Sequence, residues 1–110
     1  MKQTEEDVLL RIFIDESDMY KGRPLYEQIV VQARTLHLAG ATVIRGIMGY
    51  GAHSRVHTAK ILQLSEALPV VVEIVDSKEN IDKLIPFLDE TVKEGLITKE
   101  RVQVIRYRSP

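Results

Sequence analysis

The sequence predicts an α+β fold of order β-α-β-β-α-β, in the split-βαβ or ferredoxin-like arrangement. Three observations support this prediction. Four segments rich in Val, Ile and Leu have the length or the alternation of strands. Two further segments repeat apolar residues every three or four positions, as amphipathic helices do. Right-handed crossovers between two halves of similar length then give a four-stranded antiparallel sheet with both helices on one face.

The first half of the chain supplies a strand, a helix and a second strand. Residues 7–15 are apolar at nearly every position and predict a central strand, whereas residues 1–6 are expected to fray as a flexible leader. Residues 24–38 predict a helix that begins at a proline, with Gly40 at its left-handed C-terminal cap. Residues 41–50 predict the second strand, which carries glycines at its end.

The second half repeats the pattern. Residues 69–76 form the clearest strand of the chain, and Asp76 or Ser77 is expected to cap the helix that follows. Pro86 lies inside this helix and is expected to kink it or split it into two pieces. Residues 101–108 alternate as a strand does and complete the sheet.

Composition indicates one soluble domain over residues 7–108. The chain has 110 residues, of which 45% are hydrophobic and 28% are charged. Its formal net charge of -1 lacks the basic excess of a nucleic-acid-binding protein. Cysteine is absent, which excludes disulfides, thiolate metal sites and a cysteine nucleophile. The N-terminus lacks a signal-peptide pattern and no apolar run is long enough to span a membrane, so we expect a cytoplasmic protein without membrane insertion.

The strands are apolar on both of their faces, although the helices can cover only one face of the sheet. The other face would expose several hundred Å² of apolar surface in a monomer. We therefore expect a homo-oligomer whose sheets pack around a common axis.

The residues between the second and third strands are the main candidates for function. Gly46, Gly49 and Gly51 indicate a bulge, a bend or the close approach of another backbone or a ligand. Residues 52–64 predict a long polar loop, which is uncommon in a small domain unless it has a function. The loop offers hydroxyl, guanidinium, imidazole and ammonium groups that suit an anion, although a solvated loop is an equal alternative. These groups belong to Ser54, Arg55, His57 and Lys60.

Two other interpretations of the same loop stay open. His53 and His57 are four residues apart, the spacing of two metal ligands on a helix, but no carboxylate or cysteine accompanies them between Ala52 and Gln63. A divalent-metal-binding trimer is one alternative on this basis. A small metabolite enzyme that uses His57 as acid or base is another, although no nucleophile elbow or acidic orienting group stands at a recognisable spacing. We expect neither catalysis nor a bound cofactor or metal.

Three motifs resemble an uncharacterised bacterial and archaeal family of PII-like proteins, within the nitrogen-regulatory PII superfamily. The motifs are YKGRPLYEQIV (20–30), GATVIRGIMGYG (40–51) with the polar loop behind it, and LPVVVEIVDS (68–77). The resemblance implies a trimer of ferredoxin-like subunits with clefts between them that hold adenine nucleotides in PII proteins. It also implies that the loop over residues 52–64 docks on a partner protein, such as a transporter or an enzyme.

The resemblance also implies site residues. The Gly49-Tyr50-Gly51 run matches the turn that leads from a PII strand into the partner-binding T-loop, and Arg106 with Arg108 matches the PII Arg-x-Arg. Residues 94–99 correspond poorly to the PII phosphate-binding loop, since they offer one glycine. The sequence thus predicts a signalling module that binds a small anionic ligand such as an adenine nucleotide. The expected ligand-binding residues are Gly49, Tyr50, Gly51, Ser54, Arg55, His57, Lys60, Arg106 and Arg108.

Overall fold

The structure, a computed structural model, describes residues 1–50, the backbone of residues 57–58, and residues 68–109. Its elements are β1 (Lys2–Asp15), β2 (Met19–Tyr20), β3 (Arg23–Pro24), α1 (Leu25–Thr35), β4 (Thr42–Arg45), β5 (Met48–Gly49), β6 (His57–Thr58), β7 (Pro69–Asp76), α2 (Lys78–Thr91) and β8 (Leu96–Tyr107). Four of the strands form an antiparallel sheet in the order β4-β7-β1-β8. This is the predicted split-βαβ order, so the α+β, ferredoxin-like prediction is confirmed.

The core lies between one face of this sheet and the two helices. Alternate residues of β1 and β7 point toward the helices, because successive side chains of a strand lie on opposite faces. The helices contribute residues at three- and four-residue spacing. The buried apolar residues are Leu10, Ile12, Ile14, Leu25, Ile29, Ala33, Leu38, Val70, Val72, Ile74, Ile81, Leu84 and Leu88.

The expected flexible leader is wrong, because β1 begins at Lys2. Residues 2–6 pair with residues 103–107 of β8 in regular antiparallel register. The N-terminal amine also donates a hydrogen bond of 2.7 Å to the backbone carbonyl of Arg108, and the Arg108 N–H donates to the Met1 carbonyl at 3.0 Å. The pairing partner lies about a hundred residues away in the chain, so local composition could not indicate it. For the same reason β8 starts at residue 96, earlier than the predicted residue 101.

His37, and not Gly40, closes the C-terminus of α1. His37 adopts the left-handed conformation with φ of 64°. Its N–H donates to the Arg34 carbonyl, and the N–H of Leu38 donates to the Ala33 carbonyl, each at 3.0 Å. This is the Schellman pattern, in which an apolar residue after the cap packs beside the last turn. Leu38 does so inside the core, which holds His37 in a conformation that glycine would adopt more easily.

Helix α2 is capped as predicted. The Ser77 hydroxyl accepts a hydrogen bond from the Asn80 N–H at 3.2 Å. Of the two effects expected of Pro86, the split is wrong, since α2 continues through the proline to Thr91. Leu84 and Leu88 are buried against the sheet on either side of the proline. Their packing holds the helix together where one backbone hydrogen bond is lost.

The sheet face opposite the helices is open in the single chain. A row of directly paired apolar residues crosses all four strands: Ile44, Val71, Phe13 and Leu96. Three of these side chains are 36–57% exposed. Beside this row, Arg11 forms ion pairs with Glu73 at 2.8 Å and with Glu100 at 2.9 Å. In the part of the chain that the structure describes, neither helix is long and apolar enough to cross a membrane.

Candidate functional site

Three segments of the chain meet where β4 ends and β7 begins. The Gly46 N–H donates to the Pro69 carbonyl at 2.7 Å, and the Glu16 N–H donates to the Leu68 carbonyl at 2.9 Å. The segment from Met48 to Thr58 starts and returns here, because β5 pairs with β6. We call this region, formed by residues 16, 45–50 and 68–69, the loop base.

The glycines of the loop base permit close contact with Pro69. A Cβ atom on Gly46 or on Gly49 would lie 2.9 Å from the Pro69 Cγ, which is shorter than real Cβ contacts. The predicted continuous strand over residues 41–50 is therefore wrong in one respect: β4 stops at Arg45, and β5 starts at Met48. Gly46 and Gly49 thus mark a close approach, as expected, but at Gly49 the neighbour is the ring of Pro69 and not backbone, and Gly51 lies outside the described residues.

Apolar side chains are exposed next to this glycine backbone. Ile47 is 81% exposed, Met48 62% and Tyr50 72%. A soluble surface rarely leaves several large apolar side chains together in water without a partner. Gly49 and Tyr50, two of the predicted ligand-binding residues, thus lie among exposed apolar side chains.

An ion pair that was not predicted from the sequence borders this surface. The Arg45 guanidinium donates through Nη2 to the Glu16 Oε1 at 2.9 Å, and its side chain remains 57% exposed. The available signal was a single charged residue, Arg45, within the apolar and glycine-rich run over residues 41–50. Its partner Glu16 could not be identified from the sequence, because it lies 29 residues earlier in the chain.

Arg106, another predicted ligand-binding residue, is held by carboxylates. Its Nε donates to Glu5 Oε1 at 2.9 Å and its Nη2 donates to Asp7 Oδ2 at 3.3 Å. The pKa of Arg106 is raised. The hydrogen bond to Glu5 is the largest cause, and the negative charges of Glu5 and Asp7 also raise it. Asp7 is only 5% exposed. Burial raises the pKa of Asp7, the Glu5 charge raises it further, and Arg106 opposes both effects.

Within one subunit, Arg106 is far from the loop base. Its partner Asp7 lies in β1, and the loop-base residue Glu16 directly follows the end of β1. The two residues are nine positions apart, which corresponds to about 30 Å of extended chain. Arg108 is exposed and contacts Met1 through its backbone. The structure of the single chain does not bring these two arginines together with Gly49 and Tyr50.

The expected counterpart of a phosphate-binding loop has a different structure. Residues 96–99 belong to β8. Gly95 precedes them with φ of 146°, and a side chain at this position would clash with the Phe13 carbonyl oxygen. A cavity of about 270 Å³ lies beside this turn. The residues that line it are Asp18, Met19, Leu25, Thr91, Lys93 and Glu94. Burial raises the pKa of Asp18, against a hydrogen bond from the Asp15 N–H that lowers it.

Comparison with known proteins identifies the family. The sequence model of DUF190, described as "Uncharacterized ACR, COG1993", matches residues 7–104. The chain belongs to the DUF190 family. A UPF0166 protein of Aquifex aeolicus (strain VF5) is 44% identical over 99 residues, which are 88% of this chain and 91% of that protein. UPF0166 protein MJ1524 of Methanocaldococcus jannaschii is 40% identical over 90 residues, 81% of this chain and 82% of that protein.

Solved structures place the DUF190 fold among PII-like proteins. CPII of Thiomonas intermedia K12, a nitrogen regulatory PII-like protein, superposes with a TM-score of 0.68 at 15% sequence identity. The match covers 94% of this chain and 92% of that one. That CPII structure contains ADP, AMP and bicarbonate. The resemblance to an uncharacterised PII-like family is confirmed, and so is the PII-like fold.

The remaining predicted site residues of this DUF190 protein lie outside the described residues. These are Gly51, Ser54, Arg55, Lys60 and the side chain of His57. The same holds for His53, so the two-histidine metal hypothesis remains a prediction. Among residues 1–50 and 68–109, no group of three or more His, Asp or Glu side chains is arranged to hold a metal ion.

Proposed function

We propose that this DUF190 protein is a PII-like regulatory module, and not an enzyme, that binds a small anionic ligand such as an adenine nucleotide. The loop base is the observation that carries the proposal. It combines the exposed side chains of Ile47, Met48 and Tyr50 with an arginine, Arg45, on a backbone that is held against Pro69. CPII, which shares the fold, binds ADP, AMP and bicarbonate. ADP and AMP each join an apolar base to charged phosphate, and an apolar surface beside a cation suits such ligands.

The proposed site is shared between subunits. The open sheet face presents the row from Ile44 to Leu96, which association with further copies would remove from water. We propose a homotrimer built on this face. About 30 Å of chain separates Arg106 from the loop base within one subunit. In the proposed trimer, Arg106 and Arg108 of one subunit would therefore contact a ligand at the loop base of the next.

In the proposed signalling step the ligand acts on the polar segment over residues 52–64. Ser54, Arg55, His57 and Lys60 would contact the anion, since they offer hydroxyl, guanidinium, imidazole and ammonium donors. The bound and free forms of the segment would then differ in their affinity for a partner protein, such as a transporter or an enzyme. We propose the cytoplasm as the location, because a chain without cysteine suits a reducing compartment.

A ligand screen tests this function. Purified protein is heated with ADP, AMP, ATP or bicarbonate, and its melting temperature is recorded. A ligand that binds only the folded state stabilises it by about 2.7 kcal/mol at a hundred times its dissociation constant. We expect a concentration-dependent rise with at least one adenine nucleotide, and a smaller rise for Tyr50→Ala. A melting temperature that no nucleotide or bicarbonate changes would contradict the proposal.

A further inference from the structure

We propose that Arg45 and Glu16 form an anion-selecting pair at the loop base, in which Arg45 binds the phosphate of a nucleotide and Glu16 competes for Arg45. This inference rests on the proposed function and deepens it, because it names a specificity-determining residue and its competitor. Neither residue was among those expected from the sequence.

The backbone on both sides of Arg45 is fixed. Arg45 is the last residue of β4 and pairs with Val70, and the next residue, Gly46, is hydrogen-bonded to Pro69. The Arg45 side chain nevertheless remains 57% exposed, close in the chain to the exposed Ile47 and Tyr50. A cation on a rigid backbone beside an exposed apolar surface matches the chemistry of a nucleotide, which joins a flat apolar base to a charged phosphate.

The Arg45 side chain has donors beyond the one that Glu16 uses. A guanidinium carries five N–H donors in a planar fork, and among the described residues Glu16 accepts from one of them, at Nη2. The planar fork fits phosphate oxygens as well as it fits a carboxylate. A phosphate on Arg45 would therefore find the guanidinium already oriented, since the Glu16 bond limits its conformations.

Glu16 supplies the competition. Its own backbone N–H is bonded to the Leu68 carbonyl, so the carboxylate stays at the loop base whether or not Arg45 is engaged elsewhere. A phosphate bound to Arg45 would lie close to this negative charge, which lowers its affinity. A neutral ligand does not meet this repulsion. Arg45 thus favours ligands that carry a phosphate, and the Glu16 carboxylate limits the affinity that Arg45 gives them.

Calorimetric titration of three proteins with two probes tests the inference. Wild type, Arg45→Gln and Glu16→Gln are each titrated with ADP and with adenosine, which has no phosphate. We expect Arg45→Gln to weaken ADP binding about tenfold or more, because a charge-assisted hydrogen bond is lost. We expect Glu16→Gln to strengthen ADP binding about two- to fivefold, the range of an exposed ion pair. The affinity for adenosine should be the same in all three proteins.

Matched controls separate a local effect from a change in net charge. Lys78→Gln and Asp82→Asn make the same charge changes in an exposed ion pair of 2.8 Å on α2, at the opposite end of β7. These controls should leave ADP binding unchanged. Melting temperatures without ligand test whether every variant is folded. The Arg45 side chain is 57% exposed and the Glu16 side chain 28%, and Glu16→Gln keeps the size of its side chain.

Two results would overturn the inference in different ways. Equal ADP affinity in wild type, Arg45→Gln and Glu16→Gln would reject the selecting pair while leaving the proposed function intact. The same conclusion would follow if Arg45→Gln weakened adenosine and ADP alike, because Arg45 would then act on the shape of the site. Absence of ADP binding by the wild type would overturn the proposed binding of ADP and this inference with it.

Discussion

Gly95 occupies a position that a side chain cannot fill. Its φ of 146° lies in a region that residues other than glycine rarely adopt, and a Cβ there would clash with the Phe13 carbonyl oxygen. Both constraints come from the turn that starts β8 directly beside β1. The residue thus serves the fold, which is why a lone glycine here does not indicate a phosphate-binding loop.

Gly95→Ala should destabilise the protein by about 1–3 kcal/mol or more, because backbone strain and a backbone contact add together. Urea denaturation measures the effect. Gly40→Ala is the matched control, since nothing lies within 4 Å of the position of its Cβ and its φ is not positive. The control should change stability by less than about 0.5 kcal/mol. Equal effects of the two substitutions would contradict this role of Gly95.

Asp76 connects the end of β7 to its surroundings through three hydrogen bonds. It accepts from the Ala39 N–H at 2.8 Å, the Ser77 N–H at 2.7 Å and the Asn80 side-chain amide at 3.1 Å. Burial alone would raise the pKa of Asp76, but these hydrogen bonds outweigh it and hold the pKa below its ordinary value. A lowered pKa in the folded state means that the charged form stabilises the fold.

Asp76→Asn should therefore cost stability in a pH-dependent way. The stabilisation by the carboxylate is complete above the unfolded-state pKa of about 3.9 and is lost as the pH falls through the lower folded-state pKa. We expect a loss of about 1–3 kcal/mol at pH 7 and a smaller loss near pH 3. Urea denaturation at both values tests this, with Asp89→Asn on the exposed side of α2 as the control. A loss that does not change with pH would refute the electrostatic role of Asp76.

At the scale of elements, the loop base depends on how closely β4 and β5 approach β7. Gly46 and Gly49 both face the ring of Pro69, and the Gly46 N–H is bonded to the carbonyl of the same proline. The proline ring cannot move aside as a flexible side chain would. The position of the apolar surface relative to Arg45 is set by this contact.

Gly46→Ala should lower the melting temperature, because the new methyl group would lie 2.9 Å from the Pro69 Cγ. The expected cost is about 1–3 kcal/mol, the usual range for an overpacked site. Pro69→Ala removes the ring, so the double substitution should cost less than the sum of the two single ones. A double-mutant cycle measures this coupling, and strictly additive effects would show that the contact is not important.

The elements also show what the sequence could and could not predict. Residues 69–76 were predicted to the residue, because a run rich in β-branched side chains is a local signal. The leader over residues 1–6 was mispredicted because its strand partner is at the other end of the chain. The helix cap was assigned to Gly40 by residue type, whereas the packing of Leu38 selects His37.

The site shows the same division. The glycines of the loop base were predicted to mark a close approach, because a glycine within a strand usually lies at a bulge or where another backbone comes near. Pro69 as their neighbour and Glu16 as the partner of Arg45 depend on tertiary contacts that no local pattern contains. Arg106 was predicted from a family resemblance, and its pairing with Glu5 and Asp7 became visible only in the folded chain.

At the scale of the whole molecule, the two faces of the sheet differ. One face is covered by α1 and α2, and the other exposes the apolar row from Ile44 to Leu96 beside the Arg11 ion pairs. An exposed apolar residue also occurs on the helical side. This residue is Val31, which is 57% exposed and lies on α1 outside the core. Association through the open sheet face would remove this row from water, and the proposed trimer does so.

Phe13→Asp should dissociate the proposed trimer into monomers, because it introduces a charge at the centre of the apolar row. Light scattering coupled to size-exclusion chromatography measures the mass. Val31→Asp introduces the same charge at an exposed position of α1 and should leave the mass unchanged. A trimer that persists in Phe13→Asp would show that the subunits associate through another surface.

Hydrogen exchange of the protein with and without ADP tests the central claim most directly, namely that an anionic ligand binds at the loop base. We predict that ADP slows exchange in peptides covering residues 45–58, with smaller changes in β7 beyond Pro69. Protection confined to peptides around Thr91 and Glu94 would instead place the ligand in the cavity beside the Gly95 turn and would contradict the claim. Unchanged exchange at saturating ADP throughout the chain would contradict it as well.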